Sequence, residues 1–311
     1  MTQHMPKGAG SLTFVLLMAL LKQKWWRTEM PNSLICLICS FLFCFNAMAQ
    51  ELKLCGNFEQ GELLTGKAKN ALKVKLSDNE FEVNDKGEFL IAIARDEVTT
   101  PILEVFYPDN VIHKYQLEIK PHDWDIQSIK GVAQNKVTPS KEDEAEILRE
   151  QTDVKKALSF NDENAQLSKN GFVLPLKGRI SGHFGNQRIF NGVPKNPHSG
   201  TDIAAPKGTK IVASGDGKVL LAGGNYFYSG NMVIIDHGQG LKTIYAHLDK
   251  TLVNVGDDVK KGELIGLVGA TGRATGPHLH WGATVNNVRF RPHSLLEKNI
   301  NQCVVLQKGA N

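Results

Sequence analysis

The chain has 311 residues, of which 41% are hydrophobic and 22% charged, and its formal net charge at pH 7 is +4. This composition is ordinary for a globular protein and argues against a disordered or fibrous chain. The length is enough for about two domains of ~150 residues each. The charge favours proximity to an anionic polymer, but it is too small to indicate a nucleic-acid partner.

Residues 1–49 have the pattern of an export signal. Basic residues precede an apolar run from Ser33 to Phe45, which leads into Ala47-Met48-Ala49. This order is typical of a signal peptide, here with cleavage after Ala49, and the run is shorter than the roughly 20 residues of a spanning helix. A second apolar run, Leu12 to Leu21, leaves two alternatives open: a start placed too far upstream, or an uncleaved leader that anchors the chain to a membrane.

The cysteines divide between the predicted leader and the remaining chain. Cys36, Cys39 and Cys44 lie in the leader, so only Cys55 and Cys303 follow it. An exported compartment permits a disulfide bond between them. Because they stand at opposite ends of two predicted domains, we expect them to be unpaired, buried thiols.

Residues 50–125 predict a small antiparallel β-sandwich. Apolar and polar positions alternate in short runs, and turn-forming residues such as Asp85-Lys86-Gly87 separate them, as in sandwich domains. The runs cover 71–76, 80–83, 88–93 and 102–107. His113 and His122 are isolated, so we interpret both as surface or structural histidines.

Residues 126–170 predict a helical linker. Ser140 is a plausible N-cap, and acidic residues follow it in the first turn, which is a helix-start pattern. The predicted helix continues to about Leu158 and bridges the two domains, with its charged side chains in solvent.

Residues 171–298 predict an antiparallel β-sheet domain, followed by a C-terminal tail at 299–311. Short strands alternate with glycine-rich turns, and no stretch between Gly208 and Val285 has a helical period. The fold class is therefore mainly β. Predicted strands cover 210–213, 217–221, 231–235, 241–245, 253–255, 264–268 and 278–281.

Five residues of this domain form a pattern suited to metal chemistry. His198 and Asp202 are four residues apart, His278 and His280 are two apart, and His247 lies between these pairs. Side chains at i and i+2 of a strand share a face, and a strand beginning at Thr201 would bring Asp202 to the same centre. Two imidazoles and one carboxylate suit zinc, and three protein ligands plus a water are typical of a catalytic site. Spacing alone leaves open which histidine of the His278–His280 pair is a ligand.

Zinc hydrolysis needs a proton carrier as well as the metal. Zinc lowers the pKa of water toward ~7 and polarises a carbonyl, and another group must accept and deliver protons. No glutamate stands beside a candidate ligand histidine, as it would in His-Glu-x-x-His enzymes. Histidine titrates near neutral pH, so the two remaining histidines are the candidates.

Three blocks together resemble the lysostaphin-type (LytM-like) peptidoglycan metallopeptidases over roughly residues 174–292. They are His198-Ser199-Gly200-Thr201-Asp202, Tyr245-Ala246-His247-Leu248 and Thr275-Gly276-Pro277-His278-Leu279-His280, and the glycine-rich stretch 256–266 is similar to the same family. The resemblance implies one zinc ion held by His198, Asp202 and His280. It also implies His247 and His278 as base or oxyanion stabiliser, and a fold related to biotinyl and lipoyl carrier domains.

The resemblance also implies a substrate and a location. The stretch from Asp123 to Pro139 resembles the segment before the catalytic domain in Gram-negative members, which implies cleavage of D-alanyl–diaminopimelate cross-links of peptidoglycan in the periplasm. Glycyl-glycine cleavage is the alternative bond. Residues 191–197 lack the tyrosine that some members carry there. Arg188 could bind a substrate carboxylate, but we interpret it as a surface arginine. His237 is expected to be structural at a hairpin turn, and His183 and His293 have no assigned role.

Two other functions compete with hydrolysis. Some relatives have lost zinc ligands and act as non-hydrolytic regulators that activate cell-wall amidases, but the complete ligand set here favours catalysis. A biotinyl or lipoyl carrier would have no use for the five His and Asp residues. The sequence therefore predicts an exported zinc metalloendopeptidase.

Overall fold

The computed structural model describes residues 51–161, 170–296 and 302–306, and within them the protein is mainly β. The predicted signal peptide and Cys36, Cys39 and Cys44 lie outside the described residues, as does most of the predicted C-terminal tail. None of the helices in the described ranges combines the length and apolar character needed to cross a bilayer.

The N-terminal region consists of two four-stranded antiparallel sheets. One has the order β21-β1-β2-β5 and the other β4-β3-β6-β7. Their strands are β1 Leu52–Gly56, β2 Leu63–Ala68, β3 Lys73–Leu76, β4 Asn79–Glu82, β5 Glu88–Ala92, β6 Ile102–Phe106, β7 Ile112–Gln116 and, from the far end of the chain, β21 Cys303–Leu306.

Alternation along these strands builds the sandwich core. In β3, Val74 and Leu76 are buried while Lys73 and Lys75 are half-buried at the solvent side. Apolar residues from both sheets form one cluster, as a sandwich requires, because each sheet buries one face against the other. The predicted sandwich is confirmed, and β1, β2 and β7 are strands that the sequence analysis did not identify.

Cys55 and Cys303 form a disulfide bond, so the prediction of unpaired thiols was wrong. Antiparallel pairing of β1 with β21 sets the two cysteines directly opposite each other. The prediction failed because it assumed that residues 248 positions apart in sequence stay apart in space. The last described strand instead returns to the first.

The segment after the sandwich contains one strand and two helices. Strand β8, Ile126–Ile129, pairs in parallel with a strand of the C-terminal region, and a single turn, α1 Gln134–Val137, follows. The predicted helix is confirmed as α2, Lys141–Ser159, and Ser140 and Asp143 form a capping box at its start. Ala157, Val154 and Leu158 of α2 pack on the outer face of the C-terminal sheet.

The C-terminal region is a ten-stranded antiparallel sheet with a small three-stranded sheet beside it. The main order is β17-β14-β15-β16-β19-β12-β9, with β13, β18 and β20 attached, and the small sheet has the order β11-β10-β8. The strands are β9 Arg179–Gly182, β10 Gln187–Phe190, β11 Val193–Lys195, β12 Thr201–Ala204, β13 Lys210–Val212, β14 Gly217–Tyr226, β15 Gly230–Asp236, β16 Leu241–Thr251, β17 Asp258–Val259, β18 Leu264–Val268, β19 His278–Val285 and β20 Val288–Phe290.

The predicted β core of this region is confirmed in its class and in most of its strands. One predicted strand, 253–255, lies in the irregular segment between β16 and β17 and is not a strand. Trp281 and Tyr245 are fully buried at the centre of the sheet's own cluster. Farther along the same strands, Val285 and Leu241 join the sandwich cluster, so β16 and β19 contribute to both cores.

Candidate active site

Three side chains converge at one end of β12 and β19. His198 Nε2 lies 3.0 Å from Asp202 Oδ1 and 3.0 Å from His280 Nδ1. The third side of this triangle, from His280 Nδ1 to Asp202 Oδ1, is 2.9 Å. The three ligand-type atoms are therefore nearly equidistant, and they point to a common centre.

Strand pairing produces this convergence. β12 and β19 are antiparallel neighbours, and Asp202 and His280 are direct partners in their register, so their side chains project from the same face. His198 approaches from the loop before β12. Gly200 makes this approach possible, because a Cβ there would lie 2.5 Å from the Trp281 carbonyl oxygen and 2.8 Å from His280 Nε2.

Neighbouring groups fix the orientation of His198 and Asp202. His198 donates its Nδ1–H to the carbonyl of His183, at 2.9 Å, which leaves the Nε2 lone pair for the triangle. Arg188 Nη2 lies 2.6 Å from Asp202 Oδ2, so the carboxylate presents Oδ1 alone to the imidazoles. Gly182 leaves room for this ion pair, since a Cβ there would lie 2.6 Å from the guanidinium.

Our interpretation of Arg188 as a surface arginine was therefore wrong. Its side chain is only 13% exposed and is paired with a side chain that is 8% exposed. No local sequence signal distinguishes it, because β10 belongs to the small sheet, whose strands do not pair with β12. Only the three-dimensional fold brings Arg188 to Asp202.

The donor set fits a zinc ion. Tetrahedral zinc with ligand distances of about 2.0–2.1 Å separates its ligand atoms by roughly 3.3 Å, close to the triangle observed. Burial raises the pKa of Asp202, but its close contacts with the His198 and His280 imidazoles lower it well below its ordinary value. Burial also lowers the pKa of His280 to about 4. At neutral pH the group thus offers a carboxylate and an uncharged imidazole.

His247 and His278 lie beside the triangle. The ring centroids of His247 and His278 are 4.7 Å apart, and that of His247 is 6.0 Å from that of His280. Each donates Nδ1–H to a backbone carbonyl at 2.8 Å, from His247 to Thr271 and from His278 to Gly276. Both imidazoles therefore keep Nε2 as a free acceptor, and Nε2 of His278 is 3.8 Å from Asp202 Oδ1.

His247 is held in an unusual environment. Its φ of +64° lies in the left-handed region, which non-glycine residues seldom occupy outside functional sites and turns. Burial lowers its pKa to about 3, and the neighbouring His278 and His280 add to this effect. The side chain is therefore a neutral imidazole in a constrained position.

A cavity of about 170 Å³ opens beside these groups. Asp202 and His278 line one side, and Gln127 and Ile129 of β8 line another. The segment that follows the sandwich thus forms part of the wall of the cavity. This contribution was not foreseen from the sequence, because the parallel pairing of β8 with β10 is a long-range contact.

The other histidines lie outside this arrangement. His237 is buried at the β15–β16 turn, where it contacts the Asp216 carbonyl and the Thr243 hydroxyl, each at 2.7 Å, as expected for a structural residue. His113 packs against Tyr107 and Tyr115 in the sandwich. His122 forms a hydrogen bond with Glu59, and the His293 ring lies 5.4 Å from that of Trp281. His183 has an exposed side chain and contributes its backbone carbonyl to the site, where it accepts from His198.

Comparisons with known proteins find relatives of the region that contains this site. Residues 196–292 match the model of peptidase family M23. Peptidoglycan DD-endopeptidase ShyA of Vibrio cholerae is 43% identical over 142 residues, or 45% of this chain and 32% of ShyA. DD-carboxypeptidase/endopeptidase Mpg of Neisseria meningitidis serogroup B is 47% identical over 98 residues, or 32% of this chain and 22% of Mpg.

A solved structure extends the likeness beyond the matched domain. A Pseudomonas aeruginosa structure described as a peptidase M23 superposes with a TM-score of 0.60 and 26% identity, covering 78% of this chain and 96% of that one. The chain spans only 21–32% of the length of ShyA, ShyB and ShyC of Vibrio cholerae. The family match, the identities and the superposition agree with the three blocks of the sequence, and residues 196–292 match a peptidase family M23 domain.

Proposed function

We propose that this protein is a zinc metalloendopeptidase that hydrolyses peptide cross-links of bacterial peptidoglycan. The observation that carries the proposal is the 2.9–3.0 Å triangle of His198, Asp202 and His280, with His247 and His278 beside it. Relatives named as peptidoglycan DD-endopeptidases support the substrate class. Within that class we propose the D-alanyl–diaminopimelate bond as the one cut.

The three triangle residues would hold a single zinc ion. When bound, zinc acts as a Lewis acid on the scissile carbonyl and lowers the pKa of water. Arg188 keeps Asp202 in place through Oδ2, and the His183 carbonyl holds the His198 ring through Nδ1. These contacts fix the ligand atoms before the metal arrives, which reduces the reorganisation that binding requires.

His247 and His278 would handle the protons. In both rings the Nδ1–H is committed to a backbone carbonyl, so Nε2 is the atom that can accept a proton from the attacking water. After that transfer the same Nε2–H can donate to the oxyanion or to the leaving amine. The geometry suits either histidine to either task.

We further propose that the protein acts outside the cytoplasm, in the periplasm, after removal of residues 1–49. The disulfide between Cys55 and Cys303 supports an oxidising compartment. Mass spectrometry of the protein recovered from the periplasm tests this, because cleavage after Ala49 leaves Gln50 as the first residue. A mature chain that retains the leader would instead support the anchored alternative.

Digestion of purified peptidoglycan sacculi, with products identified by mass spectrometry, tests the activity. We expect cross-linked dimers to be converted to monomers by the zinc-loaded protein, and a chelator to stop the reaction. Cleavage only of glycyl-glycine bridges would replace the proposed bond with the alternative. A zinc-loaded protein that cuts neither would point to the regulatory role, which the intact ligand set does not favour.

A further inference from the structure

Arg273 places a positive charge beside the triangle without a matching carboxylate. Its guanidinium carbon lies 4.8 Å from the ring centroid of Phe190 and 4.3 Å from that of Tyr228, which is cation–π distance. Across residues 51–161, 170–296 and 302–306, no acidic side chain pairs with it. The side chain is half-buried, so part of its hydration is lost and no protein carboxylate replaces it.

The charge of Arg273 faces the same cavity as the candidate catalytic groups. Arg273, Arg188, Asp202 and His278 all line the space of about 170 Å³. Arg188 pairs with Asp202 at 2.6 Å, so the positive charge of Arg188 and the negative charge of Asp202 offset each other. Among the described residues that line this cavity, Arg273 is the cation without a carboxylate partner.

The loop that carries Arg273 is tied to both catalytic histidines. The carbonyl of Thr271 accepts from His247, and the carbonyl of Gly276 accepts from His278. The Arg273 backbone N–H donates to the Tyr228 carbonyl at 2.8 Å, which fixes the loop on the β14–β15 turn. A guanidinium held between these two anchors has a defined position relative to the reacting atoms.

The proposed substrate carries the complementary group, and this step rests on the proposed function. In a D-alanyl–diaminopimelate cross-link, the diaminopimelate carbon bonded to the scissile nitrogen also bears a carboxyl group. Arginine binds carboxylates through paired, charge-assisted hydrogen bonds, and the free edge of a guanidinium stacked on aromatic rings stays available for them.

We propose that Arg273 binds this carboxylate and so selects cross-links whose leaving amino acid has a free acid beside the scissile bond. Phe190 and Tyr228 hold the guanidinium in place, and the cavity admits the leaving side of the substrate. A Gly–Gly bridge, which has no such carboxylate, would gain nothing from Arg273. A purely structural role, in which Arg273 only braces the two rings, is the competing explanation.

The experiment is a cycle of two enzymes and two substrates. Full-length zinc-loaded wild type and Arg273→Met are assayed on a cross-linked peptide dimer with the free carboxylate and on the same dimer with that carboxylate amidated. Methionine keeps an unbranched apolar chain against the rings but removes the charge. Arg149→Met on the exposed face of α2 is the matched control for loss of one arginine, and Arg273→Lys tests rescue by charge alone.

We expect Arg273→Met to lose roughly 10- to 100-fold in kcat/KM on the free acid, the range for a hydrogen bond to a charged group. The loss should appear in KM, because the carboxylate is present in ground and transition states alike. Wild type should lose a similar factor on the amidated dimer, on which Arg273→Met has little further effect. Arg273→Lys should recover part of the preference, and Arg149→Met should match wild type.

Two outcomes would overturn the inference and leave the proposed function intact. One is wild-type enzyme that cuts both dimers with equal kcat/KM. The other is an equal loss for Arg273→Met on both dimers, which is the result of a bracing role. Wild type that cuts neither dimer nor sacculi would instead refute the proposed function together with the inference that rests on it.

Discussion

The N-terminal sandwich and the C-terminal sheet are both antiparallel β structures with aliphatic cores, but they bury different polar side chains. Among the described residues, the sandwich buries Glu62, Glu97 and His113. The C-terminal region buries a larger polar set: Asn186, His198, Thr201, Asp202, Ser214, Asp236, His237, Lys242, Thr243, His247 and Thr284. Because a buried polar group lowers stability unless it is bonded, each member of this larger set needs a partner, and the set includes three residues of the proposed active site, His198, Asp202 and His247.

Burial alone does not identify the site, however. Glu97 accepts a hydrogen bond from Ser77 at 2.7 Å, and Glu62 pairs with Arg291 at 2.8 Å; these contacts hold the fold together. At the triangle, by contrast, ligand-type atoms face one another across about 3 Å, and Nε2 of His247 and His278 is left as an acceptor. The C-terminal region thus differs from the sandwich in having several nitrogen and oxygen lone pairs that point into one shared space. Four predictions test it.

The largest effect is expected from His280→Ala. Removing one corner of the triangle should abolish both zinc binding and hydrolysis, because two remaining ligands do not make a tight zinc site. Metal analysis of the purified variant and the sacculus assay measure the two losses. His113→Ala removes a buried histidine from the sandwich instead, and it should lower stability while zinc content and turnover stay at the wild-type level. Stoichiometric zinc in His280→Ala would refute the ligand assignment.

His247→Asn should separate proton transfer from metal binding. Asparagine tolerates the left-handed backbone at this position, and its amide N–H can replace the Nδ1–H bond to Thr271 while Nε2 is lost. We expect zinc to remain bound and kcat to fall by roughly 10²- to 10⁴-fold, the usual contribution of a general acid or base. Zinc content and kcat measured on one preparation decide the matter. A variant that turns over at the wild-type rate would exclude His247 from the chemistry.

A smaller effect is expected from breaking either of two arginine–carboxylate pairs, Arg188–Asp202 in the C-terminal region and Arg291–Glu62 at the sandwich. Arg188→Met removes the partner of a proposed zinc ligand, and loss of such a supporting contact typically weakens metal binding about 10- to 100-fold. Arg291→Met removes the partner of Glu62, and it should reduce the free energy of unfolding while zinc affinity stays unchanged. Competition with a chromogenic chelator measures the affinity, and urea unfolding measures the stability. Equal zinc affinity in both variants would show that Arg188 does not support the metal site.

The sequence predicted local patterns well and long-range pairings poorly. The alternation of apolar and polar residues in β3 to β6 and the N-cap at Ser140 could each be predicted from a few neighbouring residues. The spacing of His278 and His280 likewise implied that both side chains lie on one face of a strand. Arg188, by contrast, pairs with Asp202 across two different sheets, and nothing in its local sequence indicates this contact.

The same limit explains the disulfide and the cavity wall. Cys303 faces Cys55 because β21, which follows the C-terminal region in the chain, pairs with β1 of the sandwich. Gln127 reaches the cavity because β8 pairs in parallel with β10. In each case the contact joins two segments that are far apart in sequence, and neither segment has a local pattern that indicates its partner. Such contacts are seen only in the folded structure.

The smallest expected effect concerns His237, a buried histidine of the C-terminal region that lies outside the triangle. Burial lowers its pKa to about 4 in the folded protein, whereas an unfolded histidine has a pKa of about 6.5. Between those values the unfolded chain binds a proton that the folded chain does not. The free energy of unfolding therefore decreases as the pH falls below about 6.5, by at most about 1.4 kcal/mol per pH unit.

His237→Asn isolates this contribution, because asparagine can keep the bond to the Asp216 carbonyl but does not titrate. Urea unfolding of the zinc-loaded proteins at pH 7, 6 and 5 gives the comparison. Between pH 6 and pH 5 the wild type should lose about 1 kcal/mol more than the variant, and the two should run parallel above pH 7. Parallel curves throughout would mean that His237 has the same pKa in the folded and unfolded chains. Burial would then not lower its pKa, and the imidazole would be charged in the folded protein at pH 5.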